Sequence, residues 1–187
     1  MKGFLKEVGK KLAKGLLADY SIYRIYTLSG GEAGGHEVAE GLTVREIDET
    51  SLASDPSQLI RDQSGYAGPG SHAYACIENG RVAGICFYWF GERYKTRNFW
   101  PLAEGEAKLV QIVVLPEMRG RGIATQLIAS SFQDMMGKDF HRAYARIWHS
   151  NAPSLKAFRK AGWKPVALVV EFFLRGRSRP LRIRLNG

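Results

Sequence analysis

Apolar residues recur along this chain with two periods, and each change of period marks an element. Leu5, Val8, Leu12 and Leu16 form one stripe, with Lys2, Lys6, Lys10 and Lys14 on another side; this predicts a basic amphipathic helix over residues 1–18. Gly9 and Gly15 weaken that helix, each by about 1 kcal/mol relative to Ala. Residues 20–28, rich in Tyr and Ile, suit a strand, and the glycine-rich 29–36 reads as a linker or loop. From there the strand period returns at Leu42, Val44 and Ile47 within residues 41–48. Residues 49–64 read as helical, broken in two at Pro56. Two strands, 72–78 and 81–90, flank Asn79-Gly80, the dipeptide of a tight hairpin turn. A polar, aromatic loop spans 91–105, and 108–115 is a run of β-branched and aliphatic residues with Gln111 as its one polar interior position. Ile123, Leu127, Ile128, Phe132 and Met135 or Met136 have helical spacing. Residues 143–148 form the next strand. Ser150 or Asn151 then caps a helix that ends at Ala161-Gly162. Strands at 165–174 and 181–185 close the chain around a basic turn. From residue 41 the order is β-αα-β-β-β-α-β-α-β-β: an α/β fold with a mixed sheet of about seven strands flanked by helices.

At 187 residues and 45% apolar content, the chain suits one domain with a real core, here 41–187, preceded by an extension over 1–40. No run of 18 apolar residues predicts a spanning helix. The two cysteines do not form a disulfide framework. A two-residue turn register sets Cys76 opposite Ala83 and Cys86 opposite Ala73, keeping the thiols apart, and a reducing, cytoplasmic setting is expected. The net charge of +9 is unevenly placed. Residues 1–15 contribute +4 and 175–187 contribute +5, while 17 basic and 17 acidic side chains cancel between them. Residues 1–18 suit peripheral contact with an anionic membrane surface, or equally packing of their apolar stripe on the domain or on a partner subunit such as a second copy of the chain. Nucleic acid is not an expected partner.

Candidate chemistry gathers in Val110-Gln-Ile-Val-Val-Leu-Pro-Glu-Met-Arg-Gly-Arg-Gly-Ile-Ala124. A strand stops at Pro116, a turn with Gly120 and Gly122 follows, and a helix begins. The first amides of a helix lack intrahelical partners, and glycines let an anion approach them. Arg119 and Arg121 add charge suited to phosphate. Two commoner phosphate loops do not fit. No Lys-Ser or Lys-Thr follows the glycines, and position 125, where a dinucleotide fingerprint needs Gly or Ala, is Thr.

Arg119-x-x-Gly122-x-Ala124, with its Val114-Leu-Pro-Glu-Met-Arg-Gly lead-in, resembles the Q/R-x-x-G-x-G/A signature of the GNAT superfamily of acyl-CoA N-acyltransferases. Asn151-Ala-Pro-Ser154-Leu-Lys-Ala-Phe158-Arg-Lys160-Ala-Gly162-Trp163 resembles that family's second motif. The resemblance covers roughly residues 41–184 and implies a mostly antiparallel central sheet. The implied chemistry is transfer of an acetyl group from acetyl-CoA, as co-substrate and without a metal, to a primary amine. The amine belongs to a small molecule or a protein and attacks directly in a ternary complex. The resemblance puts the pyrophosphate on the amides of Arg119, Gly120, Arg121, Gly122, Ile123 and Ala124. It puts the pantetheine arm against strand backbone at Ile112 and Val114, with Asn151 and Phe158 alongside. Glu106 is the candidate base, Glu104 its neighbouring alternative, and His149 a candidate proton carrier. Phe158 departs from the family pattern, since many relatives carry there a Tyr whose hydroxyl protonates the leaving thiolate. The aromatic span from Tyr88 to Trp100 reads either as core or as an acceptor pocket. The competing class is a catalytically inactive module that binds acyl-CoA, polyanions or membrane through its basic ends.

Overall fold

A computed structural model describes residues 17–32, 39–95 and 100–186. The predicted amphipathic stripe lies in 1–16, outside the described residues, and Leu17 and Ala18 open a strand rather than close a helix. Among the described residues one mixed sheet of eight strands runs in the order β2-β3-β4-β5-β6-β1-β7-β8. The strands are β1 (Leu17–Ser29), β2 (Leu42–Glu46), β3 (Ser71–Glu78), β4 (Arg81–Trp89), β5 (Glu106–Val114), β6 (Arg142–Trp148), β7 (Lys164–Leu174) and β8 (Leu181–Asn186). Of these strands only β5 and β6 pair in parallel. The helices are α1 (Glu49–Ala53), α2 (Gln58–Arg61), α3 (Gly91–Lys95), α4 (Ile123–Met136) and α5 (Ala152–Lys160).

The proposed boundary at residue 40 does not divide this sheet. β1 lies between β6 and β7, hydrogen-bonded to both, with Tyr23, Ile25 and Tyr26 fully buried. A strand with two neighbours satisfies its backbone on both edges, so it belongs to the core of the domain rather than to an extension.

Local chemistry accounts for the connections. Asn79 (φ 50°) and Gly80 (φ 76°) both take left-handed backbone, the turn whose twist matches a hairpin. The hairpin register differs from the two-residue expectation. Cys76 faces Gly84 and Cys86 faces Tyr74, because the pairing slips between Cys76 and Ile77. Both thiols are free and buried, and burial pushes them up to about 11 and about 12, which leaves them unreactive near neutrality. Pro56 separates α1 from α2, and the Asp48 carboxylate caps α1 by accepting from the Ser51 amide at 2.7 Å.

Side-chain alternation splits the core into two faces. Leu127, Ile128 and Phe132 of α4, and Ala157 and Phe158 of α5, pack on Ala107, Leu109, Ala143, Ala145 and Ile147. On the opposite face Leu52 and Ile60, from α1 and α2, cover Ala73, Ala75, Ile85 and Phe87. Beside them Tyr23, Ile25, Tyr144, Ala167 and Val169 form a third cluster, against which Trp100 and Leu102 pack.

Candidate functional site

The two parallel strands at the centre of the sheet do not stay together. β5 and β6 pair from Glu106↔Arg142 to Leu109↔Ala145 and no further, although β5 continues to Val114 and β6 to Trp148. The cause sits in β5. Tyr88 of β4 faces Leu109 and Phe87 faces Gln111, so Val110 is an extra residue. Such a bulge bends its strand and increases its twist. β5 therefore turns away where the pairing ends, and a wedge-shaped cavity of about 510 Å³ opens between the strands.

The wedge has two chemically different sides. On the α4–α5 side it is lined by Leu109, Ile112, Ala145, Ile147 and Phe158, with Asn151 and Ser154 from the start of α5. On the other side stand Lys108, Gln111, Arg146 and Trp148. Gln111 donates to Gln63 beyond α2 at 2.8 Å, and Trp148 meets Tyr23 edge-on at 6.1 Å. Lys108 is 1% exposed, so it is an interior residue of a strand that begins at Glu106, two residues before the predicted start. Burial holds its ammonium well below the usual lysine range, and the neighbouring Arg146 charge acts in the same direction.

At the far end of β5 the chain makes the glycine turn. Gly120 (φ 79°) and Gly122 (φ 81°) are left-handed, and Gly122 caps α4. A Cβ added at either would meet nothing within 4 Å, so the turn is open to the outside. The side chains there are partly engaged. The Arg119 Nε donates to the Val114 carbonyl at 3.3 Å, and Arg121 donates to Glu78 at 2.6 Å. Ile123 points into the core and Ala124 packs against it. What residues 119–124 offer a ligand is mainly backbone N–H and the start of a 14-residue helix. Arg119 bonds Val114 at the end of β5, two residues beyond Ile112, the last residue of that strand to line the wedge. An elongated ligand with an anionic end fits this arrangement with no side chain to displace at either glycine.

The remaining sequence-derived candidates are placed as follows. Asn151 lines the wedge and also caps α5, its side chain accepting from the Ser154 amide at 3.2 Å. Phe158 is a wall of the wedge, 2% exposed and edge-on to Trp163 at 5.0 Å. Glu106 and His149 do not line the wedge. Glu106 is buried at the paired end of β5, where it accepts from the Ala103 amide at 2.9 Å and pairs with Arg142 at 3.3 Å. With the exposed Glu104 it borders a separate cavity of about 840 Å³. His149 is exposed, with its Nδ1 3.2 Å from the Ile22 carbonyl of β1. The aromatic span is mostly scaffold. Tyr88, Trp89 and Tyr94 are buried, the Trp89 indole donates to the Tyr66 carbonyl, and the Tyr94 hydroxyl donates to the Trp100 carbonyl. Phe99 lies outside the described residues. The polar and aromatic wedge residues not predicted for the site are Lys108, Gln111, Arg146, Trp148 and Ser154. One signal was available: a lysine inside a run otherwise suited to burial. Among the described residues no group of three or more His, Cys, Asp and Glu could hold a metal ion, and no helix is long and apolar enough to cross a membrane.

Comparison with known proteins follows the same residues. The model of the acetyltransferase (GNAT) family matches residues 41–163. A curated N-acetyltransferase from Streptomyces griseus is 32% identical over 57 residues, which are 30% of this chain and 29% of that protein. A GNAT-family acetyltransferase from Colwellia psychrerythraea superposes with a TM-score of 0.61 at 14% identity, over 90% of this chain and 62% of the other. A GCN5-related N-acetyltransferase from Kribbella flavida does so with a TM-score of 0.57 at 14% identity, over 91% and 64%. At such identities these superpositions are likenesses of fold. The chain spans less than two thirds of both structures and of the curated relative.

Proposed function

Because the chain belongs to the acetyltransferase (GNAT) family, we propose that it moves an acetyl group from acetyl-CoA to a primary amine, with direct attack while both substrates are bound. The observation that carries this reading is the wedge between β5 and β6, one wall of which, β5, leads on to the glycine-capped start of α4. A pyrophosphate suits the amides of residues 119–124, where dipole and unpaired donors favour an anion. A pantetheine arm suits the wedge. Along β5 beyond Leu109 the backbone has no pairing with β6, so polar groups such as those of Ile112 are available to the arm. Val114 offers less, because its carbonyl already accepts from Arg119.

In the reaction the amine nitrogen attacks the thioester carbonyl carbon, the C–S bond breaks, and the amine gives up one proton. An alkyl ammonium has a pKa near ~10 and must first become neutral. Lys108, buried at the closed end of the wedge with its pKa drawn down by burial and by Arg146, is our candidate to take the proton. Phe158 has no hydroxyl for the departing thiolate, and Ser154 is the hydroxyl on that side of the wedge. A thiol pKa of about 8.5 makes coenzyme A a tolerable leaving group even without a dedicated acid. Glu106 and His149 act on this geometry through the scaffold.

The test is calorimetry with acetyl-CoA, followed by release of free thiol across a broad amine panel. Binding together with turnover of at least one amine is expected. Tight binding without turnover of any amine would instead favour the inactive, acyl-CoA-binding module, the reading that Phe158 supports. No binding at all would remove both.

A further inference from the structure

The helical layer over one face of the sheet stops short of its β8 end. α4 and α5 cover that face as far as Tyr26 and Leu28 of β1. Alternation puts Tyr20, Ile22 and Arg24 on the same face as Tyr26, nearer the start of the strand. Opposite them stand Phe172, Val170 and Leu168 on β7, which in turn pair with Leu181, Ile183 and Leu185 on β8. All of these but Arg24 are apolar. Among the described residues none of them belongs to a buried cluster or packs against one. Tyr20 is 58% exposed and Ile183 51%, so this part of the face is open. The chain enters it from one side: Leu17 starts β1 beside Leu174, just before Tyr20.

We propose that residues 1–16 fold back as an amphipathic helix and cover this face, placing beside α5 the helix that the layer lacks. The segment has the matching pattern. Leu5, Val8 and Leu12 make one apolar stripe, and Lys2, Lys6, Lys10 and Lys14 lie on another side, where docking leaves them in water and away from Arg24. The dimensions agree. A helix over residues 1–14 is about 21 Å long and about 10 Å wide. The face runs about 13 Å from Tyr20 to Arg24 and about 10 Å across its three strands. Gly15, and the shift in the β1–β7 register at Ala18, supply the reversal between helix and strand. A second copy or a lipid surface presents apolar contact as well, but residues 1–16 join β1 directly. A short connection holds a segment at an effective concentration on the order of millimolar, which an untethered partner in dilute solution does not reach. The contact is made by side chains on the face, so it does not occupy the outer backbone edge of β8. It stands whether or not the wedge takes acetyl-CoA.

The experiment measures access to the middle of the face. Val170→Cys places a thiol there, on the central strand of the three. The native Cys76 and Cys86 are buried and pushed up to about 11 and about 12, so they add little background. Maleimide labelling of Val170→Cys under native conditions should be at least about 10-fold slower in the full chain than after deletion of residues 1–16, because the thiol then reacts only when the helix lifts. Adding Leu12→Asp to the full chain should raise the rate to that of the deletion, and adding Lys10→Gln should leave it slow, since only the stripe makes the contact. Where the deletion leaves no folded chain, Leu12→Asp in the full chain reads the same difference. Equal rates with and without the segment overturn the proposal, and so does protection that survives Leu12→Asp. Protection that appears only with anionic vesicles assigns the face to lipid, and protection that appears only as protein concentration rises assigns it to a second copy; either result also overturns it.

Discussion

Burial pulls the Lys108 ammonium well below the usual lysine range, and that shift has a measurable consequence for stability. Its folded pKa lies well below the unfolded value near 10.5. Between those two values the unfolded chain binds a proton that the folded chain lacks, so stability falls as pH drops through the window. Above the unfolded pKa the difference vanishes. Lys108→Met, close in length and without the charge, should therefore raise the melting temperature at pH 7, with a gain that shrinks as pH approaches 10.5. The same variant should lose most turnover while still binding acetyl-CoA. A variant no more stable than wild type at pH 7 would contradict the lowered pKa of this buried amine.

Glu106 gives the opposite expectation. Its carboxylate ties the Ala103 amide and Arg142 together at the closed end of the wedge. Glu106→Gln should cost about 1–3 kcal/mol in denaturant unfolding, the usual penalty for weakening a buried, charge-assisted contact. The kcat of the folded variant should stay within a few-fold of wild type. A hundredfold loss of kcat at unchanged stability would return this carboxylate to the chemistry.

At the level of elements, Gly122 and Gly84 do different jobs. Gly122 is left-handed, and a Cβ there would have nothing within 4 Å, whereas a Cβ on Gly84 would lie 2.8 Å from the Val113 carbonyl oxygen. Gly122→Val puts a branched side chain over the α4 amides at a backbone cost of about 1–2 kcal/mol. Acetyl-CoA affinity should drop several-fold or more in calorimetry, and an unchanged affinity would remove the turn from the donor site. Gly84→Ala should instead strain the β4–β5 pairing at Val113 and Val114, and it should be detected as a lowered melting temperature.

On the scale of the whole molecule, β8 is a sheet edge with Leu181, Ile183 and Leu185 exposed. They pair with Phe172, Val170 and Leu168 on β7, which makes one apolar face at an edge that no other described strand pairs with. Natural proteins seldom leave such an edge uncovered, and we expect a second copy to cover it. Sedimentation velocity should show a wild-type dimer and an Ile183→Asp monomer; a monomeric wild type would reject the interface. The basic residues 1–16 lie outside the described residues, and anionic lipid is one of the contacts expected of them. Flotation with anionic vesicles should depend on this segment and weaken with salt, and no binding at low salt would reject the membrane contact.

Much of this protein could be read from local pattern. Periodicity placed the central strand and the helix after it, Pro56 split the first helical stretch, and Asn79-Gly80 set the hairpin. The family followed from Arg119-x-x-Gly122-x-Ala124 and the Asn151–Trp163 stretch, since a helix start with two glycines is written in consecutive residues. The rest depended on which strands become neighbours. Only the sheet order showed that β1 is an interior strand between β6 and β7. Only the slipped register at Val110 opened the wedge, because a bulge is defined by the opposing strand and not by its own sequence. The faces of that wedge were likewise a tertiary matter. Lys108, Arg146 and Trp148 come from two strands more than thirty residues apart in sequence, and alternation assigns them to one side only once those strands are set side by side. For the same reason Glu106, attractive by its position before the central strand, turned out to face Arg142 and the Ala103 turn rather than the gap.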